Sequence, residues 1–123
     1  MFQLLFSSTG RLNRSKFWLG TLAVFAVDAI AIGAFLGAIS QGEDGAPMPG
    51  WALAAVVGLA ILLMVSFLAH IFLGIKRYHD HSKPGVWVLV QFVPAIGALW
   101  YFAEAGCMRG VSGTNQYGAD PIG

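Results

Sequence analysis

The residues of this chain that could do chemistry are few, and most stand in one short segment: Lys76, Arg77, Tyr78, His79, Asp80 and His81. Two histidines beside an aspartate invite a metal reading. A metal site would need further ligands and the groups that orient them, and no Cys/His set at zinc-ligand spacing occurs. A phospholipid-headgroup site or a salt-bridged latch accounts for the same residues with less. Asp80 is the natural partner for a guanidinium, whose fork of donors matches a carboxylate, and Arg11 or Arg14 is expected to reach it. The other suspicious residue is Asp28, an ionisable group inside an apolar run, where charge is costly and normally faces protein or water. With His70 in the next run it could form a proton or ion relay. The alternative is a hydrogen-bonded tie between helices, worth on the order of 1 kcal/mol. At about 1.5 Å per residue, Asp28 lies about 16 Å and His70 about 8 Å from the same side, so they meet only through an offset or a water. No nucleophile set, paired carboxylates or phosphate loop names a catalytic step, and no catalytic residue, metal or cofactor is expected.

These residues are positioned by three apolar runs, at about 17–39, 51–75 and 86–106. Each reaches the roughly 20 residues that carry a helix across about 30 Å of hydrocarbon. Helix is the expected form, because in lipid the backbone must be satisfied within its own segment or in a closed barrel, and the runs lack period two. The fold class expected is therefore an all-α integral membrane protein of one domain, 1–123, with three transmembrane helices. A short interfacial segment would precede them (Phe2, Leu5 and Phe6 on one face), and an irregular Gly-rich tail would follow Arg109. The first run exceeds the roughly 7 to 15 apolar residues of a signal peptide.

Six of the seven Lys and Arg residues (Arg11, Arg14, Lys16, Lys76, Arg77, Lys83) fall in the two segments that flank the first two runs, whereas the 40–50 loop carries Glu43 and Asp44 and no cation. Loops facing the cytoplasm hold the excess of Lys and Arg. The expectation is a multi-pass membrane protein with the N-terminus and the 76–85 loop on the cytoplasmic side and the 40–50 loop outside. With three spans, the tail falls outside. Phe17, Trp18, Trp51, Tyr78, Trp87, Trp100 and Tyr101 stand near span ends, as aromatic anchors do. Gly33 and Gly37, extended back by Ala29, form a small-residue stripe for close helix packing. Pro94 and Gly97 should kink the third span, because proline removes a backbone donor; a re-entrant hairpin is the rival. Glu104 is read as solvated or paired with Arg109.

Composition agrees: 57% of the 123 residues are apolar and 11% charged, against roughly 25% charged in a soluble domain. A net charge of +1 leaves no basic face for nucleic acid. The one cysteine, Cys107, closes no disulfide within the chain.

Four blocks, taken in order, resemble a family of small bacterial inner-membrane proteins known as domain of unknown function eight-hundred-and-five, the YhaH-like proteins. They are Gly10-Arg11 with Arg14, Phe17 and Trp18; Lys76-Arg77-Tyr78-His79-Asp80 with Gly85 and Trp87; Pro94 with Gly97; and Gly110, Gly113, Asn115, Tyr117, Gly118, Asp120 and Pro121. Pro84, Val86 and Gln116 depart from the family pattern. The resemblance implies an inner-membrane location and a compact three-helix-type protein, and it marks Arg11, Arg14, Arg77, His79, Asp80, Asn115, Tyr117 and Asp120 as candidates for a shared feature. It implies no reaction. The function expected is that of a non-enzymatic accessory, assembly or scaffolding subunit whose partners are the lipid bilayer and another membrane protein or a second copy. Rivals are an oligomeric channel or transporter using Asp28, and a lipid-headgroup sensor or enzyme at His79 and Asp80.

Overall fold

The computed structural model describes residues 2–40 and 45–122. The acidic pair of the 40–50 loop, Glu43 and Asp44, lies outside the described residues. The interfacial segment is a single helical turn, α1 (Phe2–Leu5). Two long helices follow, α2 (Arg14–Ser40) and α3 (Gly50–Asp80), and both are long and apolar enough to cross a membrane. They match the first two runs. Their apolar side chains are largely uncovered: Ile30, Leu36, Leu53 and Ile61 are all exposed. Such extended apolar surface is incompatible with water as solvent, and no strand occurs among the described residues, only an isolated bridge between Asn115 and Gly118.

The third run departs from expectation. Among the described residues there is no third helix long enough to span. The run divides into a 3-10 segment, Gly85–Phe92, a short helix α4 (Gly97–Tyr101) and a π-helical turn, Phe102–Cys107. The physical reason lies at 93–97. Pro94 supplies no N–H, Ala95 adopts a left-handed φ of 69°, and a Cβ on Gly97 would stand 2.2 Å from the carbonyl oxygen of Val90. The chain therefore reverses there instead of kinking. It descends along α3, with Val88 against Gly74 and the Phe92 ring 6.0 Å from Phe67. It then returns, with Tyr101 again reaching Gly74. Phe67 precedes Lys76 by nine residues, about 14 Å along the axis, so Phe92, just before the reversal, lies little more than a third of the way down α3's 51–75 run.

An ion pair between Lys83 and Glu104 closes the two ends of this hairpin. Glu104 also accepts a 2.8 Å hydrogen bond from Trp100 Nε1, so it is paired, though not with Arg109. The core sits at this end of the molecule, around Leu12, Phe17, Leu73, Tyr78, Val88, Tyr101 and Ala105.

Close packing uses different glycines from the stripe read in the sequence. A Cβ at Gly33 or Gly37 would meet nothing within 4 Å, whereas one at Gly20 would stand 2.9 Å from Leu73, one at Gly74 2.6 Å from Val88, and one at Gly106 2.7 Å from Trp18. Between the end of α2 and the start of α3 lies an open groove lined by Ala31, Ala34, Ala38, Trp51, Ala55 and Gly58.

Candidate functional site

α3 continues one polar turn beyond its apolar stretch, and that turn faces the core instead of solvent. Arg77 is 0% and Asp80 2% exposed. Spaced three apart on one helical face, they form an ion pair. Arg11 joins from the segment before α2, its Nε donating to Asp80 Oδ1 at 3.0 Å. One carboxylate thus serves two guanidiniums, and the expected latch exists at Arg11. Arg14 does not take part; it donates to the Cys107 carbonyl at 2.9 Å.

The remaining guanidinium donors bind main-chain carbonyls. Arg77 donates to Ala105 at 2.5 Å, to Leu12 at 3.2 Å and to Met108. Arg11 donates to Val111, Gly113 and Gly118. A π-helical turn bonds i to i+5 and leaves its last carbonyls without helical partners. Here Arg77, Trp18 (2.9 Å to Gly106) and Arg14 take them up. Burial of charge is tolerable because every charged group is paired and hydrogen-bonded. The same logic ties down the N-terminus: Lys76, 4% exposed, donates to the carbonyls of Gln3 and Leu4 at the end of α1, where a cation suits the helix dipole.

The tail folds back over this knot, which reverses the expectation that it leaves on the far side of the third run. Val111 N donates to the Asp80 carbonyl at 2.8 Å. Gly110 is obligatory, since a Cβ there would stand 1.9 Å from Asp80 Oδ2. Asn115 Nδ2 donates to the His79 carbonyl at 2.9 Å and to Ser82 Oγ at 3.0 Å, while its Oδ1 accepts from Tyr117 N at 2.8 Å. Tyr117 stacks on His79 with ring centres 3.9 Å apart and planes 4° from parallel, and His79 Nδ1 lies 3.2 Å from the Gly10 carbonyl oxygen. Asp120 accepts from Gly113 N at 2.9 Å and Ile122 N at 3.0 Å. Those two bonds hold its carboxyl below the usual range. His81, beside the knot, is pushed down by burial first and then by the Arg77 charge.

The structure therefore gathers Arg11, Arg77, His79, Asp80, Asn115 and Tyr117 into one cluster, with Arg14 and Asp120 at its edge. Asp28 and His70 lie apart from it. His70 packs between Phe25 (5.6 Å) and Tyr101 (5.5 Å), and no hydrogen bond joins it to Asp28 among the described residues; Asp28 Oδ1 and His70 Nδ1 are both buried without a partner. Chemically the knot is saturated. Both oxygens of Asp80 are engaged by arginines, which leaves no free carboxylate to act as base, and no group of three potential metal ligands occurs among the described residues. Sequence reading missed the part of Gly106 and Gly110 and of the Lys83–Glu104 pair. Only the glycines gave a signal, standing where a tail rich in turn formers begins.

Two long lipid-compatible helices, a reversed third run and a buried basic knot at one end define a small all-helical integral membrane protein. The comparisons specify it further. Residues 5–119 match the family described as Protein of unknown function (DUF805), and the chain belongs to that family. Over 113 residues it is 35% identical to "Inner membrane protein YhaI" of Escherichia coli (strain K12), covering 92% of this chain and 84% of that protein. Over 114 residues it is 27% identical to "Inner membrane protein YhaH" of the same strain, covering 91% and 84%. No solved structure matches.

Proposed function

We propose that this protein is a non-catalytic assembly subunit of the inner membrane that crosses twice, with the third run as a re-entrant hairpin and the N-terminus, the 76–85 loop and the tail together in the cytoplasm. The cation distribution supports that orientation. The Lys83–Glu104 pair supports the re-entrant form, because the two ends of the run meet on one side. The observation that carries the assembly role is the contrast between the two ends of the α2–α3 pair. One end is locked by buried ion pairs. The other presents Gly33 and Gly37, where an added Cβ would meet nothing within 4 Å, and an open alanine-lined groove. Small residues let a second helix approach closely and gain packing that lipid tails do not supply. The partner is a transmembrane helix, from a second copy or another membrane protein. The test is cross-linking in native membranes from a cysteine at Gly37 in a Cys107→Ser background, with a cysteine at Leu19, on the exposed knot-side part of α2, as control. A specific adduct at Gly37 alone is expected. A protein monomeric in mild detergent with no adduct from either position would end the assembly reading.

A further inference from the structure

The chain holds seven Lys and Arg residues, and four of them are taken up inside the fold: Arg11 and Arg77 on Asp80, Lys83 on Glu104, and Lys76 on the carbonyls that end α1. The other three, Arg14, Lys16 and Arg109, are all exposed. Among the described residues none of the three has a carboxylate within ion-pair distance, and the side chains of Lys16 and Arg109 make no hydrogen bond. The fold brings them to one rim. Arg14 opens α2, and its Nη1 donates to the Cys107 carbonyl at 2.9 Å, which leaves the rest of its fork of donors free. Arg109 follows Cys107 by two residues, at most about 7 Å of chain, and Lys16 stands in the same first turn as Arg14. Asp120 is near enough to feel the Arg109 charge, but its oxygens are taken by Gly113 N and Ile122 N.

Apolar surface begins directly beneath this rim. Trp18 stacks on Phe102 with ring centres 6.0 Å apart, and its Nε1 donates to the Gly106 carbonyl at 2.9 Å. α2 and the returning limb of the hairpin are thereby fastened side by side. One turn further from the rim stand Leu22 on α2 and Leu99 on α4, 59% and 74% exposed. From the rim inward the order is unpaired cation, indole, uncovered leucine. A phospholipid presents the matching order of phosphate, interfacial region and acyl chain.

We propose that this seam between the start of α2 and the end of the hairpin binds an anionic phospholipid, with Arg14 and Arg109 on the phosphate, Lys16 adding charge, and an acyl chain along Leu22 and Leu99. A guanidinium fork matches phosphate oxygens two at a time, cations at the membrane surface attract anionic lipid, and tryptophan favours the headgroup level. An acidic soluble protein would answer the cations but not the leucines that continue below them into hydrocarbon. The buried knot cannot serve in this way, because its guanidiniums are already engaged by Asp80 and by main-chain carbonyls. The headgroup surface therefore lies beside the Arg11–Asp80 cluster, not within it. This inference is independent of the assembly role and of which side of the membrane the rim faces.

The experiment is native mass spectrometry of the full chain in a neutral detergent, titrated with phosphatidylglycerol, phosphatidylcholine or inorganic phosphate. The native protein is compared with Arg109→Gln, Arg14→Gln, the double variant and Met48→Glu, helix content being checked for each. The Arg109 side chain holds no part of the fold, so its loss tests the surface alone. Met48, 72% exposed, stands just before α3 at the end away from the knot, and its change to Glu lowers the net charge as much as losing one arginine. Retention of phosphatidylglycerol over phosphatidylcholine is expected, weakened about five-fold by each arginine substitution and about twenty-five-fold by the two together, and unchanged in Met48→Glu. Equal retention of the two lipids, unchanged retention in a folded Arg109→Gln, the same loss in Met48→Glu, or inorganic phosphate binding as tightly as the lipid would each overturn the proposal.

Discussion

Replacing Asp80 by Asn keeps the shape of the side chain and removes one negative charge from a site that holds two guanidiniums. Arg77 is fully buried and the Arg11 side chain is 1% exposed, so neither can turn to water without dismantling the tail and the π-helical turn. The knot now carries one excess positive charge, offset by the carbonyl dipoles around it; the variant would carry two with no counter-ion. Breaking a buried pair by removing one partner costs about 3 to 5 kcal/mol, mostly the penalty on the charge left behind. Against a total stability of about 5 to 15 kcal/mol, that is a large fraction. The expected result is a loss of about 3 to 5 kcal/mol, measured by reversible detergent-denaturant unfolding followed by circular dichroism. Because the penalty belongs to the stranded arginines, adding Arg11→Gln to Asp80→Asn should cost less than the two single changes summed, the non-additivity expected within one network. A loss below about 1 kcal/mol, the worth of a solvent-exposed pair, with additive singles, would refute the account of the knot as a desolvated unit.

Gly110→Ala should destabilise as severely as loss of the ion pair, because its Cβ would overlap Asp80 Oδ2 at 1.9 Å; Gly33→Ala, with nothing within 4 Å, should leave the unfolding midpoint of the isolated protein unchanged. His81 is held below its ordinary value of about 6.5 by burial and by Arg77, so the unfolded chain takes up the proton first. Stability should be flat above about pH 6.5 and fall as the pH drops below it, and unfolding titrations of His81→Gln should show a shallower acid slope. With the re-entrant form, cysteines placed at Thr114 and Ser82 should both resist a membrane-impermeant thiol reagent applied from outside, while one at Gly45 reacts; labelling at Thr114 but not Ser82 would restore a third crossing.

The sequence alone determined the class of protein and most of the knot's membership. Long apolar runs and clustered cations are properties of composition along the chain, and they specify helices in lipid without knowledge of what packs on what. The Asp80 latch was legible for the same reason, since an aspartate just beyond an apolar run has few cations within reach. What the sequence left open was decided by long-range contact. Pro94 and Gly97 mark a break, but whether a broken helix kinks or reverses depends on what its far end can bind, and here Glu104 meets Lys83 while the main-chain carbonyls of residues 105–113 meet Arg77, Trp18, Arg14 and Arg11. The tail's side followed from that choice, and with it the reversal of its expected placement. The packing glycines were equally out of reach. Spacing shows that Gly33 and Gly37 could admit a close neighbour, but only tertiary structure shows that Gly20, Gly74, Gly106 and Gly110 have one, because glycine's value in packing is set by the atoms that arrive from elsewhere in the chain.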